Sequence, residues 1–124
     1  ELPVAGKQLF IGSAQISHFP LSAELKRLGA NVQEVALYQT RALVPSPKQI
    51  IEFCSLAKLV VTFLSPSAVD SFFTVPEFSK CTDCRFAVIG GATADAIKRH
   101  RATIWHQASE PNGAVLLREI AKRL

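Results

Sequence analysis

Methionine is missing altogether from the 124 residues, tryptophan and tyrosine occur once each, and cysteine occurs three times. No apolar run reaches the ~20 residues that a membrane-crossing helix requires, and no basic segment followed by an apolar one opens the chain. Neither a membrane span nor a signal peptide is therefore expected. With Glu1 first and no methionine, the chain is expected to be a processed or excised part of something longer. An odd, low cysteine count builds no disulfide framework and fits a reducing cytoplasm. Cys81 and Cys84 have C-x-x-C spacing, but the further ligand pair of a zinc site is absent. The pair also precedes the strand at Phe86, where a thioredoxin-like pair would begin a helix. A surface loop is the reading, with a metal or redox role as its alternative.

Other absences narrow the chemistry. There is no long basic run and no basic–aromatic interleaving, so nucleic acid is not an expected partner. The net charge of +4, from 14 Lys and Arg against 10 Asp and Glu, mildly favours anionic ligands. Lys98-Arg99-His100-Arg101 falls where a helix should end and where cations suit its dipole. Neither G-x-S-x-G, G-x-G-x-x-G nor a P-loop is present. No pair of carboxylates sits at strand ends. His18, His100 and His106 are scattered and read as surface residues.

What is present is a chain that can bury a core, 48% apolar and 19% charged. Gln8 to Ile11 reads as a short strand, Pro20 to Leu28 as a helix with Leu21, Leu25 and Leu28 in one stripe, and Gly29 as the residue that ends it. Val32 to Tyr38 reads as a second strand, and residues 38–45 as an extended linker strand closed by Pro45. Ser46-Pro47-Lys48-Gln49 is a capping box, and its helix turns Ile50, Ile51, Cys54 and Leu56 or Ala57 inward. Leu59 to Leu64 has the look of a central parallel strand covered on both faces. Phe86 to Ile89 is another strand, and Thr103 to His106 a weaker one suited to an edge. The helices that follow carry Ala68, Val69, Phe72 and Phe73, then Ala94, Ala96 and Ile97, then Val115, Leu116, Ile120 and Leu124, the last capped by Asn112. Such alternation means an α/β fold with a largely parallel, helix-covered sheet. Its parts are 1–37, the linker 38–45, and 46–124.

Ligands of open α/β sheets sit beyond the carboxyl ends of the strands. Two strand-to-helix turns place small residues there: Leu64-Ser65-Pro66-Ser67-Ala68 and Gly90-Gly91-Ala92-Thr93. A helix start offers unpaired N–H groups and partial positive charge, and so accepts a carboxylate without Lys or Arg. If the strands are neighbours, both starts face one gap, and a ligand with several carboxylates could span them. The alternative is structural: Ser65 is an adequate N-cap, and the glycine pair suits a tight turn. Tyr38 stands at the end of its strand, either donating a hydrogen bond into a cleft or anchoring the linker.

Several stretches together resemble the C-terminal half of the uroporphyrinogen-III synthase family: "VALYQTRA" (35–42), "VTFLSPSAVDSFF" (61–73) and "FAVIGGATADAI" (86–97), with "GANVQEVALY" and "ASEPNGAVLLREI" in the right order. The resemblance implies two doubly wound, flavodoxin-like α/β domains joined by a two-stranded linker, with the active site in the cleft between them. It implies a cytoplasmic lyase of heme biosynthesis that uses no metal or cofactor. The substrate would be the linear tetrapyrrole hydroxymethylbilane, with eight carboxylates, which loses water, inverts its last pyrrole ring and closes. Tyr38 falls on the tyrosine expected to help the hydroxyl depart. Ser65, Ser67 and Thr93 fall on the family's substrate-side hydroxyls, while Pro66, Ala68, Gly91 and Ala92 flank the main-chain donors. No nucleic acid or membrane partner is implied. The family enzyme is about twice this length, so an N-terminal half, or a second copy of the chain, would complete the fold. This chain departs from the family at Gly90-Gly91-Ala92-Thr93, where Gly-Pro-Thr-Thr is the commoner run. A non-catalytic α/β module that binds a polyanion is the competing reading.

Overall fold

The computed structural model describes residues 3–15 and 20–124. The chain divides into two compact units, Glu1–Arg41 and Ala42–Leu124. His18 lies outside the described residues.

In the first unit, β1 (Gln8–Ala14) and β2 (Asn31–Tyr38) pair in parallel, with Leu9 opposite Val32, and α1 (Leu21–Arg27) connects them. Gly29 ends α1 at φ +86°, a left-handed backbone that suits glycine because it has no Cβ. Its N–H donates to the Lys26 carbonyl, and Ala30 N–H donates to the Leu25 carbonyl, so the last-turn acceptors are satisfied. Of the expected stripe, Leu25 is half-buried, while Leu21 and Leu28 remain exposed. Residues 39–46 form no strand, so the expected linker strand is irregular backbone instead. Its apolar Leu43 and Val44 are exposed.

The second unit contains a parallel sheet in the order β3 (Val60–Phe63), β4 (Arg85–Val88), β5 (Ile104–Gln107). The mostly apolar run Leu59 to Leu64 suggests a central β3, but in this three-stranded sheet β4 holds that place and β3 is an edge. Burial follows that order: Phe86, Ala87 and Val88 are all buried, whereas Thr62 and Leu64 are exposed. Alternate residues of β4 serve opposite faces. Phe86 and Val88 pack with Val69 of α3 (Pro66–Phe73) and with Ala94, Ala96 and Ile97 of α5 (Gly91–Arg99). Ala87 packs with Leu116 and Ile120 of α6 (Gly113–Ala121). Each fully buried Val, Leu or Ile contributes roughly 1.5–3 kcal/mol relative to exposure.

α2 (Pro47–Ser55) begins at the expected capping box, with Ser46 accepting from the Gln49 amide and Gln49 returning a bond to Ser46. Its inward face differs from the expectation. Phe53 packs on Phe72 and Phe78 at ring-centroid distances of 5.7 and 4.3 Å, whereas Ile51, Cys54, Leu56 and Ala57 are exposed. Ile50 and Phe53, three apart, share the covered side. The short α4 (Pro76–Ser79), started by Pro76, supplies Phe78. Leu124, expected inward, lies past the end of α6 and is exposed. The C-x-x-C run does occupy a loop before β4, but Cys81 and Cys84 are joined by a disulfide there, and Cys54 alone is a free thiol.

Candidate functional site

Phe63 and Val88 are register partners at the carboxyl ends of β3 and β4, and Pro66 and Gly91 each stand three residues further on. α3 and α5 cover the same sheet face and pack on each other through Val69, Ala94 and Ile97. Strand pairing thus sets the two helix starts side by side at one edge of the sheet.

The two starts are built differently. Ser65, extended at φ −156°, caps α3: its Oγ accepts from the Ala68 N–H at 3.2 Å and lies 3.1 Å from Ser67 Oγ. Pro66 occupies the first helical position, where a missing N–H removes no bond. Ser65, Pro66 and Ser67 are half-buried and Ala68 is exposed. The hydroxyls of Ser65 and Ser67 therefore do structural work, and the Ser67 amide has no acceptor among the described residues. At α5 the N-cap is Gly90, and no side chain caps the helix. Ala94 N–H bonds the Gly90 carbonyl, while the amides of Gly91, Ala92 and Thr93 have no acceptor among the described residues. Gly91 and Ala92 are exposed, whereas Thr93 is 3% exposed, so Gly91 and Ala92 are the donors open to solvent.

A tight turn does not explain the glycines. Gly90 has φ 179°, extended backbone that any residue adopts. A Cβ on Gly90 would meet Pro111 Cβ at 3.8 Å, an ordinary contact, and a Cβ on Gly91 would meet open space. Neither backbone angle nor packing requires these two residues to lack side chains. Their effect is to leave the first turn of α5 bare.

The third strand-to-helix connection borders the same turn. Pro111 lies beside Gly90, and the loop carrying it is fixed by Glu119 of α6. Glu119 accepts from the Ser109 amide at 3.2 Å, from the Ser109 hydroxyl, and from His106 Nε2 at 2.8 Å. The Ser109 hydroxyl first, and His106 next, hold the Glu119 carboxyl below its ordinary range against the opposing effect of burial. Arg123 donates to His106 Nδ1 at 3.0 Å, which places the histidine proton on Nε2. His106 is thus not a free surface residue, because its side chain is only 14% exposed. His100 caps the packing of α3 on α5 by bonding Asp70 at 2.8 Å and stacking on Phe73. Ser109, Pro111 and Glu119 were missed from sequence. The available signal was their place in the third turn at the same sheet edge. Tyr38 lies in the first unit, where it ends β2, is 63% exposed as a residue, and has its carbonyl accepting from Gln15 N–H.

A family model described as "Uroporphyrinogen-III synthase HemD" matches residues 2–118. The chain belongs to the uroporphyrinogen-III synthase family. The crystal structure of uroporphyrinogen-III synthetase from Helicobacter pylori 26695 is similar in fold, with a TM-score of 0.81 at 15% identity. The match covers 98% of this chain and 55% of that one, so the chain spans about half the length of this synthetase. No curated protein matches the sequence. The α/β architecture with parallel sheets is that of the synthase fold. Among the described residues no helix is long and apolar enough to cross a membrane, and no cluster of side chains suits a metal ion.

Proposed function

We propose that this chain takes part in the cytoplasmic cyclisation of hydroxymethylbilane to uroporphyrinogen III, as a lyase that expels water and inverts the last pyrrole ring. The observation that carries the reading is the bare first turn of α5, set beside the start of α3 and opened by glycines that the fold does not require. Main-chain N–H groups at such starts take carboxylates, and the substrate has eight of them. The amides of Ser67, Gly91 and Ala92 are assigned to substrate carboxylates, with Ser65, Pro66, Ala68 and Thr93 shaping the two turns.

A hydroxymethyl group on an electron-rich pyrrole leaves readily, pushed by the ring nitrogen. The uncatalysed product is the isomer closed without inversion. The protein's task is then to hold the chain folded so that attack comes from the substituted carbon, and positioning of that kind can lower a barrier by several kcal/mol, up to about 7–11. Such a task needs anion-binding backbone more than a strong acid–base pair, in keeping with the lack of a conventional catalytic motif. Tyr38, the single tyrosine, is assigned the hydroxyl's departure.

The test incubates hydroxymethylbilane with the chain, alone and with a segment supplying the remaining length of the synthetase it matches, and separates the isomers. Uroporphyrinogen III in excess of the spontaneous type I product is expected. Type I alone from the completed protein would refute the reading. Tyr38→Phe should leave the melting curve in place and slow turnover about a hundredfold, the low end for a positioned proton donor. Unchanged turnover would remove Tyr38 from the chemistry.

A further inference from the structure

Cys54 and Cys81 line one pocket at the opposite end of the β3–β4–β5 sheet, where the loop enters β4. The pocket, of about 420 Å³, is lined by Phe53 and Cys54 from α2 and by Lys80, Cys81 and Asp83 from the loop after α4. Aromatic packing creates the juxtaposition. The ring of Phe53, next to Cys54 in the chain, is 4.3 Å from that of Phe78, and the Cys81 amide donates to the Phe78 carbonyl at 3.1 Å. The two cysteines of the disulfide are placed differently. Cys81 lines the pocket, whereas Cys84 packs against the core cluster around Phe63 and Phe86. Cys54 is an exposed free thiol that lines the same pocket.

We infer that this pocket is a thiol–disulfide exchange site in which Cys54 attacks Cys81 and displaces Cys84. The Cys54 thiol gives its proton to water, and its sulfur electron pair forms the new bond to Cys81 Sγ. The Cys81–Cys84 bond breaks with its electron pair passing to Cys84, which takes up a proton. One disulfide and one thiol enter and one of each leaves, so no outside oxidant or reductant is needed. Attack falls on Cys81 because it is the half of the disulfide that lines the pocket. A shared pocket also makes the encounter intramolecular, at high effective concentration. The loop keeps an anchor during exchange: Asp83 accepts from the Lys58 N–H at 3.0 Å, where Lys58 adopts φ +56°. Exchange moves the covalent tie from within the loop to a link between α2 and the entry to the central strand.

The experiment uses the chain with its disulfide intact and no added thiol, held at about pH 8, where thiolate is populated. Samples are acid-quenched over time, alkylated, and cleaved with trypsin and before Asp83, which separates Cys81 from Cys84. Label should divide between Cys54 and Cys84, with on the order of a tenth or more on Cys84, alongside a peptide linking Cys54 to Cys81. Its rate of appearance should not depend on protein concentration. Label on Cys54 alone at every time, a Cys54–Cys84 link, or a rate that rises with concentration would each overturn the inference. Cys84→Ser gives a second reading: with oxidised glutathione it should close a Cys54–Cys81 bond. Glutathione adducts on both residues without an internal bond would refute the juxtaposition.

Discussion

α3 and α5 leave neighbouring strands at the same offset, yet one closes its first turn with its own side chain and the other leaves it open. At α3, Ser65 takes the Ala68 amide and Pro66 removes another donor. At α5, Gly90 caps nothing, and Gly91 and Ala92 present their amides to solvent. Helix ends normally find partners for these groups within the protein, because an unmet buried N–H costs about 1–3 kcal/mol. The contrast teaches that the hydroxyl-rich turn spends a side chain on its own helix while the plainer glycine turn leaves its amides open, and the anion-binding role proposed for the α5 turn rests on that difference. The more conspicuous sequence motif is thus the less available one.

The largest effect should come from removing what holds the two starts together. Ile97→Ala empties a fully buried position between α5 and the core and should cost about 2–5 kcal/mol in urea unfolding. Next, Gly90→Asp would make the start of α5 resemble that of α3. The backbone at Gly90 is already extended, and a Cβ fits against Pro111. The new carboxylate should accept the Ala92 or Thr93 amide. It should raise stability by a few tenths of a kcal/mol up to about 1 and weaken binding of the octacarboxylate uroporphyrin about tenfold or more by filling the turn and repelling it. Unchanged porphyrin affinity, measured by fluorescence titration, would show that the α5 turn is not the anion site. Ser65→Ala makes the converse change and should cost about 1 kcal/mol through the lost cap, read from the melting temperature.

The smallest effect concerns the loop beside Gly90. The carboxyl of Glu119 is held below its ordinary value by Ser109 and His106. A carboxylate with a depressed folded pKa stabilises fully above its unfolded value and loses that contribution as pH falls through the folded one. Glu119→Gln should therefore flatten part of the stability loss on the acid side, below the ordinary carboxylate range, with little change near neutrality beyond the lost bonds. An identical acid-side slope in melting temperature against pH would remove Glu119 from that role.

Much of this was legible because it is written in local chemistry. The capping box at Ser46, the left-handed end of α1 at Gly29 and the Asn112 cap depend on residues within a few positions of one another, and all three form. The stripe Ala94, Ala96 and Ile97 was readable for the same reason. The misreadings are non-local. β3 looked central because its run is mostly apolar, but strand order is set by which strands find partners on both sides. Phe53 faces inward because Phe72 and Phe78 wait there, a fact residing in two other helices. The Glu119 contacts join residues ten and thirteen positions apart, and Pro111 meets Gly90 across strands.

By itself, the sequence determined the alternation of strands and helices, the caps that start and stop them, and the two glycine- and serine-bearing turns. Each depends on backbone preference and hydrogen bonds that close within about one helical turn. Only the tertiary structure decided that β3 and β4 are neighbours, that their helices open at the same edge, that Ser65 is engaged while Gly91 and Ala92 stay free, and that Cys54 and Cys81 line one pocket. Those outcomes depend on burial and on contacts between distant segments, which packing selects and local propensity does not encode.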